Sequence, residues 1–155
     1  MTRALPDLEL EFAFITHVDV SPIIDFGETP RGHRRVVPIV GGTFEGPNLK
    51  GKVLPGADWQ IVRPDGVLEL EASYALETDD GALITIVNRC LRHASPEVME
   101  RLNRGEPVDP AEVYFRTTPR FETSAEQYQW LTRTVFVGSG ERKANQVVIR
   151  FWAVR

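Results

Sequence analysis

Hydrophobic and polar residues alternate along most of this chain, and the dominant period is two. In the stretch 8–20, LELEFAFITHVDV, Leu8, Leu10, Phe12, Phe14, Thr16, Val18 and Val20 fall on one side, with Glu9, Glu11, His17 and Asp19 on the other. This predicts a strand with one wet face. The following SPIIDFGETPRGHRR is interrupted at Pro22, Gly27, Pro30 and Gly32 and predicts an irregular connection. A second strand is expected over 34–40, where Pro38 argues for an edge position or a bulge. From Gly41 to Gly66 glycine and proline crowd together, as Gly41-Gly42, Gly46-Pro47, Gly51 and Pro55-Gly56, so the chain is expected to bend repeatedly around the knot Asp58-Trp59-Gln60. Alternation resumes over 57–63.

The run 67–78, VLELEASYALET, sets Leu68, Leu70, Ala72, Tyr74 and Leu76 against Glu69, Glu71, Ser73 and Glu77. The Asp80-Gly81 pair then leads into ALITIVNRC, the strongest hairpin signal in the sequence. Ser95-Pro96 caps and opens a helix running to about Arg104, and Gly105 stops it. Residues 113–123, 128–138 and 145–154 alternate again and predict three more strands, with Gly138-Ser139-Gly140 as the turn joining the last two. About eight short strands with a single helix describe an all-β, mainly antiparallel fold. We expect it to close into a small, calycin-like β-barrel, because closure removes exposed edges and several strands carry polar groups where a packed core would otherwise sit.

Composition narrows the classes. At 155 residues the chain is expected to be one domain able to bury roughly two thirds of its unfolded surface. With 42% hydrophobic and 26% charged residues it is globular in character, and its formal charge of −4 argues against nucleic acid as a partner. The single cysteine, Cys90, forbids an intrachain disulfide and is expected to be a buried, inert thiol. The beginning of the chain does not read as a signal peptide, and no segment is long and apolar enough to span a bilayer, so a cytoplasmic location is expected and no membrane partner. His17, His33 and His93 lie in separate segments without ligand spacing, so no metal site is expected.

The blocks GGTFEGPNLKGKVLPGADWQIVRPDG, YALETDDG and YFRTTPRFETSAEQYQWLTRTVFVGSGER, taken with their spacing, resemble the uncharacterised family known as domain of unknown function 3237. The resemblance extends from about Leu10 to Val154. The family pattern carries Gly-Gly before Ala-Asp-Trp-Gln, Asp-Ala-Arg-Tyr near position 74 and glycine near position 90. Here a single Gly56 precedes Ala57, Glu71 and Ser73 stand for the acid and arginine, and Cys90 takes the place of the glycine. The resemblance implies a small β-barrel with an internal cavity, commonly self-associated, without an organic cofactor, some members being connected with metabolism of aromatic compounds.

Candidate chemistry concentrates in a few constellations. At the start of a strand, Asp58 and Gln60 point one way and Trp59 the other; inward-facing, Asp58 would be a general base in a low-dielectric cavity, whereas outward it would cap the Pro55-Gly56 turn. Tyr114, Arg116 and Thr118 share a strand face, and the Arg116 fork suits a developing oxyanion or, equally, a salt bridge to Glu122 or Asp58. Tyr128, Trp130 and Thr132 line up on a strand face and Tyr74 looks inward from its hairpin, as walls of a pocket or as ordinary core. His33-Arg34-Arg35 would attract an anion or simply be solvated.

The leading reading is a cofactor-independent lyase or isomerase acting on a small hydroxylated aromatic molecule. Asp58 is its base, Arg116 its oxyanion partner, and Tyr74 or Tyr128 its proton donor. Trp59, Gln60, Asn88, Tyr114, Trp130 and Arg34 would bind the substrate, and the protein would work as a homodimer. The alternatives are a non-catalytic small-molecule-binding barrel and a structural dimer whose barrel is filled by its own side chains. Convergence of Asp58 and Arg116 on one ligand would favour catalysis.

Overall fold

The computed structural model describes residues 3–155. Its strands are β1 (Leu10–Val20), β2 (Ile24–Thr29), β3 (Gly32–Glu45), β4 (Lys50–Val62), β5 (Leu68–Thr78), β6 (Leu83–His93), β7 (Tyr114–Glu122), β8 (Phe136–Arg142) and β9 (Gln146–Val154). Helix α1 (Pro96–Asn103) separates β6 from β7, and 3-10 segments occupy Pro110–Glu112 and Glu126–Thr132. All strands but β2 form a closed antiparallel barrel in the order β1-β9-β8-β7-β6-β5-β4-β3, with β3 returning to β1. Closure lets each of these strands satisfy both sides of its backbone, as expected of short alternating strands without a covering helical layer.

Strand β2 is the addition, lying on β3 from Gly32 to Val36. An irregular connection was expected there because the segment lacks a hydrophobic period. A polar clamp holds it instead: His33 sits 2.7 Å from Asp25 and 3.0 Å from Glu28, and the Gly27 amide donates to Asp25 Oδ1 at 2.7 Å. Pro38 marks the point where β3 exchanges β2 for β1, since its β2 partners end at Val36 and its β1 partners begin at Ile39. A missing N–H leaves no ladder bond unmade at that gap.

The barrel is packed unevenly along its axis. One end is solid: Phe14 lies against Phe44, Phe121 and Phe151 with ring centroids 4.9–6.0 Å apart, among Val37, Leu76, Ile84 and Ile86. The Glu126–Thr132 segment plugs this end, inserting Tyr128 and Leu131. This corrects the strand expected over 128–138. Tyr128 and Leu131 are three apart, the period of a 3-10 turn, which superimposes Tyr128 and Leu131 on one side and breaks the apparent alternation. The turn expected at Gly138-Ser139-Gly140 is likewise overturned, because these residues lie inside β8. Glycine is needed at Gly138 for close approach: a Cβ there would meet Thr117 Oγ1 at 2.2 Å.

The other end holds a small apolar cluster of Leu68, Leu70, Cys90 and Phe115, with Met99 of α1 against it. Ser95 caps that helix by accepting the Val98 amide, and Gly105 follows it at φ 75°, as expected. The interior also holds buried polar side chains, Thr16, Gln60, Asn88, Thr117 and, level with Leu68 and Phe115, Arg92. Among the described residues, no helix is long and apolar enough to cross a membrane.

Candidate functional site

Which face of β4 looks inward is decided by one extra residue. Val53 is buried opposite Leu76 of β5, so strict alternation would send Pro55, Ala57 and Trp59 inward. The β4–β5 register shifts between Leu54 and Ala57, at Pro55-Gly56. This bulge inverts the phase. Asp58 and Gln60 therefore face inward, opposite Ala72 and Leu70, with Gln60 2% exposed and Trp59 turned out at 45%. Gly56 is required at the bulge because a Cβ would lie 2.3 Å from the Ser73 carbonyl oxygen and 2.6 Å from Tyr74 Cβ.

Inside the barrel Gln60 joins an acid to a base. Its Nε2 donates to Asp58 Oδ2 at 2.9 Å, while Oε1 accepts from Arg35 Nε and Nη2 at 3.1 and 2.7 Å. The phase fixed by Ile84 and Ile86 brings Asn88, Cys90 and Arg92 of β6 to the same interior, and Arg142 enters from the end of β8. Burial holds the Asp58 carboxyl above the usual carboxylate range, against the hydrogen bond from Gln60 and the fields of Arg92, Arg142 and Arg35. Burial also lowers Arg35 and Arg142 and pushes Arg92 down to about 10. The Tyr74 hydroxyl is pushed well up, first by burial and then by the charges of Cys90 and Asp58, so it stays protonated. Cys90 is buried, and burial raises its thiol, as befits an inert group.

Among the described residues, six buried side-chain atoms have no protein hydrogen-bond partner: Asp58 Oδ1, Tyr74 OH, Asn88 Nδ2 and Oδ1, Arg92 Nε and Thr117 Oγ1. Buried polar atoms are nearly always satisfied, and each one left alone costs about 1–3 kcal/mol. All six lie on inward-facing positions of β4 to β7. A cavity of about 260 Å³ opens at one of them, Arg92, which lines it together with Gln60, Arg142, Lys143 and Leu102 and Asn103 of α1. A cavity of roughly 150 Å³ holds benzene, so this one admits a substituted ring. Asp58 stands one hydrogen bond behind its wall.

Of the residues expected from the sequence, Asp58, Gln60, Tyr74 and Asn88 come together here. Arg116 does not. It lies on the outer face of β7, over the Tyr114 ring at 5.4 Å and donating to Ser139 Oγ at 3.1 Å, because Phe115, Thr117 and Phe121 take the inward phase. Tyr114 and Arg34 are on the same outer wall, as is Trp59, stacked on Phe26. They line a broad external groove of about 1040 Å³, more open than the cavity. Tyr128 sits at the plugged end, donating to Asp80 Oδ1 at 3.0 Å, and Trp130 packs there against Phe136. Of the arginines that do face inward, Arg35 was named only within the His33-Arg34-Arg35 triplet, and Arg92 and Arg142 were missed. Arg92 was readable, since Ile84, Ile86, Asn88, Cys90 and Arg92 are all in one alternating phase.

Comparison with known proteins adds the following. The family model described as "Protein of unknown function (DUF3237)" matches residues 8–154. A UPF0311 protein of Rhodopseudomonas palustris is 48% identical over 145 residues, covering 93% of this chain and 95% of its own. The crystal structure of RPA1785 from that organism superposes with a TM-score of 0.94 at 47% identity, covering 97% of this chain and 100% of that one. A β-barrel-like protein of Acinetobacter baumannii has a TM-score of 0.87 at 42% identity over 99% of this chain and 100% of that one. More distantly, the hydroalkoxylation enzyme phnH of Penicillium herquei is 23% identical over 145 residues, covering 94% of this chain and 83% of its own. The crystal structure of an enzyme from the same organism shares the fold, with a TM-score of 0.74 at 21% identity and full coverage of both chains.

Proposed function

The chain belongs to the DUF3237 family, and from the polar interior of its barrel we propose that it is a cofactor-independent enzyme that moves a proton on a small hydroxylated molecule held in the cavity. The supporting observation is the set of buried polar atoms without a protein partner in the barrel interior, one of which, Arg92 Nε, belongs to a residue lining an opening large enough for one ring. A hydroxylated guest would supply the missing partners.

In this reading Asp58 Oδ1, which has no partner, accepts the substrate hydroxyl proton. A carboxyl raised by burial is closer to the operating pH and both takes and returns a proton efficiently. The oxyanion that forms is met by Asn88 Nδ2, a donor already desolvated. Tyr74 remains a donor and holds a substrate oxygen. The proton taken from oxygen is then delivered to carbon, an isomerisation with no change of redox state. Hydroalkoxylation, the chemistry named in the Penicillium relative, adds a hydroxyl across a carbon–carbon double bond, and within one molecule it would be a reaction of this type. Arg116, outside the barrel, has no part in it.

The test uses ortho-allylphenol in D2O with the wild type and Asp58→Asn. Wild-type protein should form the cyclic ether with deuterium on carbon, and the variant should lose that activity by about two orders of magnitude or more while folding normally. Equal rates in both would reject Asp58 as the base. Binding without any deuterium incorporation in the wild type would instead favour a non-catalytic carrier. We also propose that the outer groove, with Leu91, Tyr114 and Trp59 half-exposed, joins two copies as a homodimer, which sedimentation equilibrium would decide.

A further inference from the structure

The interior has more positive charge than its own carboxylate can neutralise. Arg35, Arg92 and Arg142 converge there on Asp58, and only Arg35 also feels Asp25, so positive charge exceeds negative by at least one. Among the described residues, no carboxylate reaches ion-pair distance of Arg92 or Arg142. Arg35 is occupied with Gln60 and feels Asp25 on its outer side. Arg92, 5% exposed, keeps an unpartnered Nε. The cavity itself is lined by Arg92, Arg142 and Lys143 and by no acidic residue, in a chain whose net charge is −4. Its remaining wall includes the apolar side chains Ile23, Val37 and Leu102.

Burying an unpaired guanidinium is strongly destabilising, and a fold has no structural reason to place Arg92 so beside a cavity that Arg142 and Lys143 also line. A ligand carboxylate removes the difficulty. It accepts the planar donor fork of an arginine through two parallel hydrogen bonds, which a bulk anion at the surface does not achieve. We propose that Arg92 and Arg142 form the carboxylate-binding end of the cavity, so that the molecule taken up is a hydroxylated aromatic or unsaturated acid whose apolar body lies against Ile23, Val37 and Leu102. This rests on the reading of the interior as a ligand site and adds to it the charge of the ligand. The carboxylate meets these two arginines, leaving the ring hydroxyl directed toward Gln60, behind which Asp58 lies.

The probe pair is 4-hydroxybenzoate and its neutral isostere 4-hydroxybenzamide, titrated at neutral pH and followed by amide chemical shifts or calorimetry. The acid should bind at least tenfold more tightly than the amide. Arg142→Gln, at the rim and away from the packed core, should weaken the acid by roughly ten- to a hundredfold and the amide by less than twofold, the range for a lost charge-assisted hydrogen bond. Equal affinity for acid and amide, no acid binding at millimolar concentration, or an equal loss for both probes in Arg142→Gln would overturn the proposal. Tighter binding of phenyl phosphate than of 4-hydroxybenzoate would also overturn the carboxylate assignment. Asp58→Asn separates the two readings. A variant that keeps the acid preference but has wild-type proton transfer leaves the carboxylate site standing and removes Asp58 as base; lost proton transfer without any acid preference in the wild type does the reverse.

Discussion

Replacing Arg92 with methionine tests whether the buried arginine serves the fold or a ligand. Methionine keeps much of the side chain's length and removes its charge. Burial pushes Arg92 from the ordinary guanidinium range down to about 10, and that displacement corresponds to roughly 3 kcal/mol disfavouring the charged form in the folded state. For a base, a depressed value means that stabilisation is present above the ordinary guanidinium value and lost as pH falls through about 10, so at pH 7 the wild type bears the whole penalty. Against this, the variant loses the guanidinium over the Phe115 ring, 5.5 Å away, for which about 0.5–2 kcal/mol is typical. It also deprives Asp58 of one attracting charge. The net expectation is a gain of about 1–2 kcal/mol, or roughly 2–8 °C in Tm for a chain of this size. The assay is thermal unfolding by circular dichroism at pH 7, with and without 4-hydroxybenzoate. Wild-type Tm should rise with the acid, because a ligand that binds only the folded state stabilises it. The variant should start higher and respond little. A fall in Tm below wild type, with unchanged far-ultraviolet spectrum, would show that Arg92 is held by the fold's own charges and refute the reasoning.

Two further outcomes follow from the same interior. Asp58→Asn should be more stable than wild type at pH 7, and the difference should vanish below pH 3.8. The folded Asp58 value is raised, so its contribution is complete below the unfolded value and lost as pH rises through the folded one; melts across pH 3–8 that show a constant difference would contradict this. Gly56→Ala should cost about 1–3 kcal/mol, since the new methyl must displace the Ser73 carbonyl or Tyr74, and should shift the NMR signals of Gln60 and Asn88. A denaturant midpoint within error of wild type would mean that the bulge is free to relax.

Much of the architecture was legible from alternation alone. The β5–β6 hairpin follows from two runs of period two around Asp80-Gly81, and α1 from Ser95-Pro96 and Gly105, because these signals act within a few residues. Barrel closure followed from the count of strands and the polar residues among them. Local patterns failed where two periods fitted the same residues. The Glu126–Thr132 segment alternates like a strand, yet the open end of the barrel needs a plug, and burying Tyr128 with Leu131 selects the 3-10 turn.

The site was legible in part, and the division has a physical cause. The sequence by itself determined that Asp58 and Gln60 share a face opposite Trp59, that Tyr74 lies in phase with Leu70 and Leu76, and that Arg116 opposes Phe115. Only the tertiary structure decided which of those faces is the interior, because a single bulge residue at Pro55-Gly56 inverts the phase of everything after it on β4. Only the closed sheet brings Arg35, Arg92 and Arg142, from three strands far apart in sequence, around one carboxylate. Alternation specifies relative facing along a strand; absolute facing and charge convergence are properties of the closed barrel.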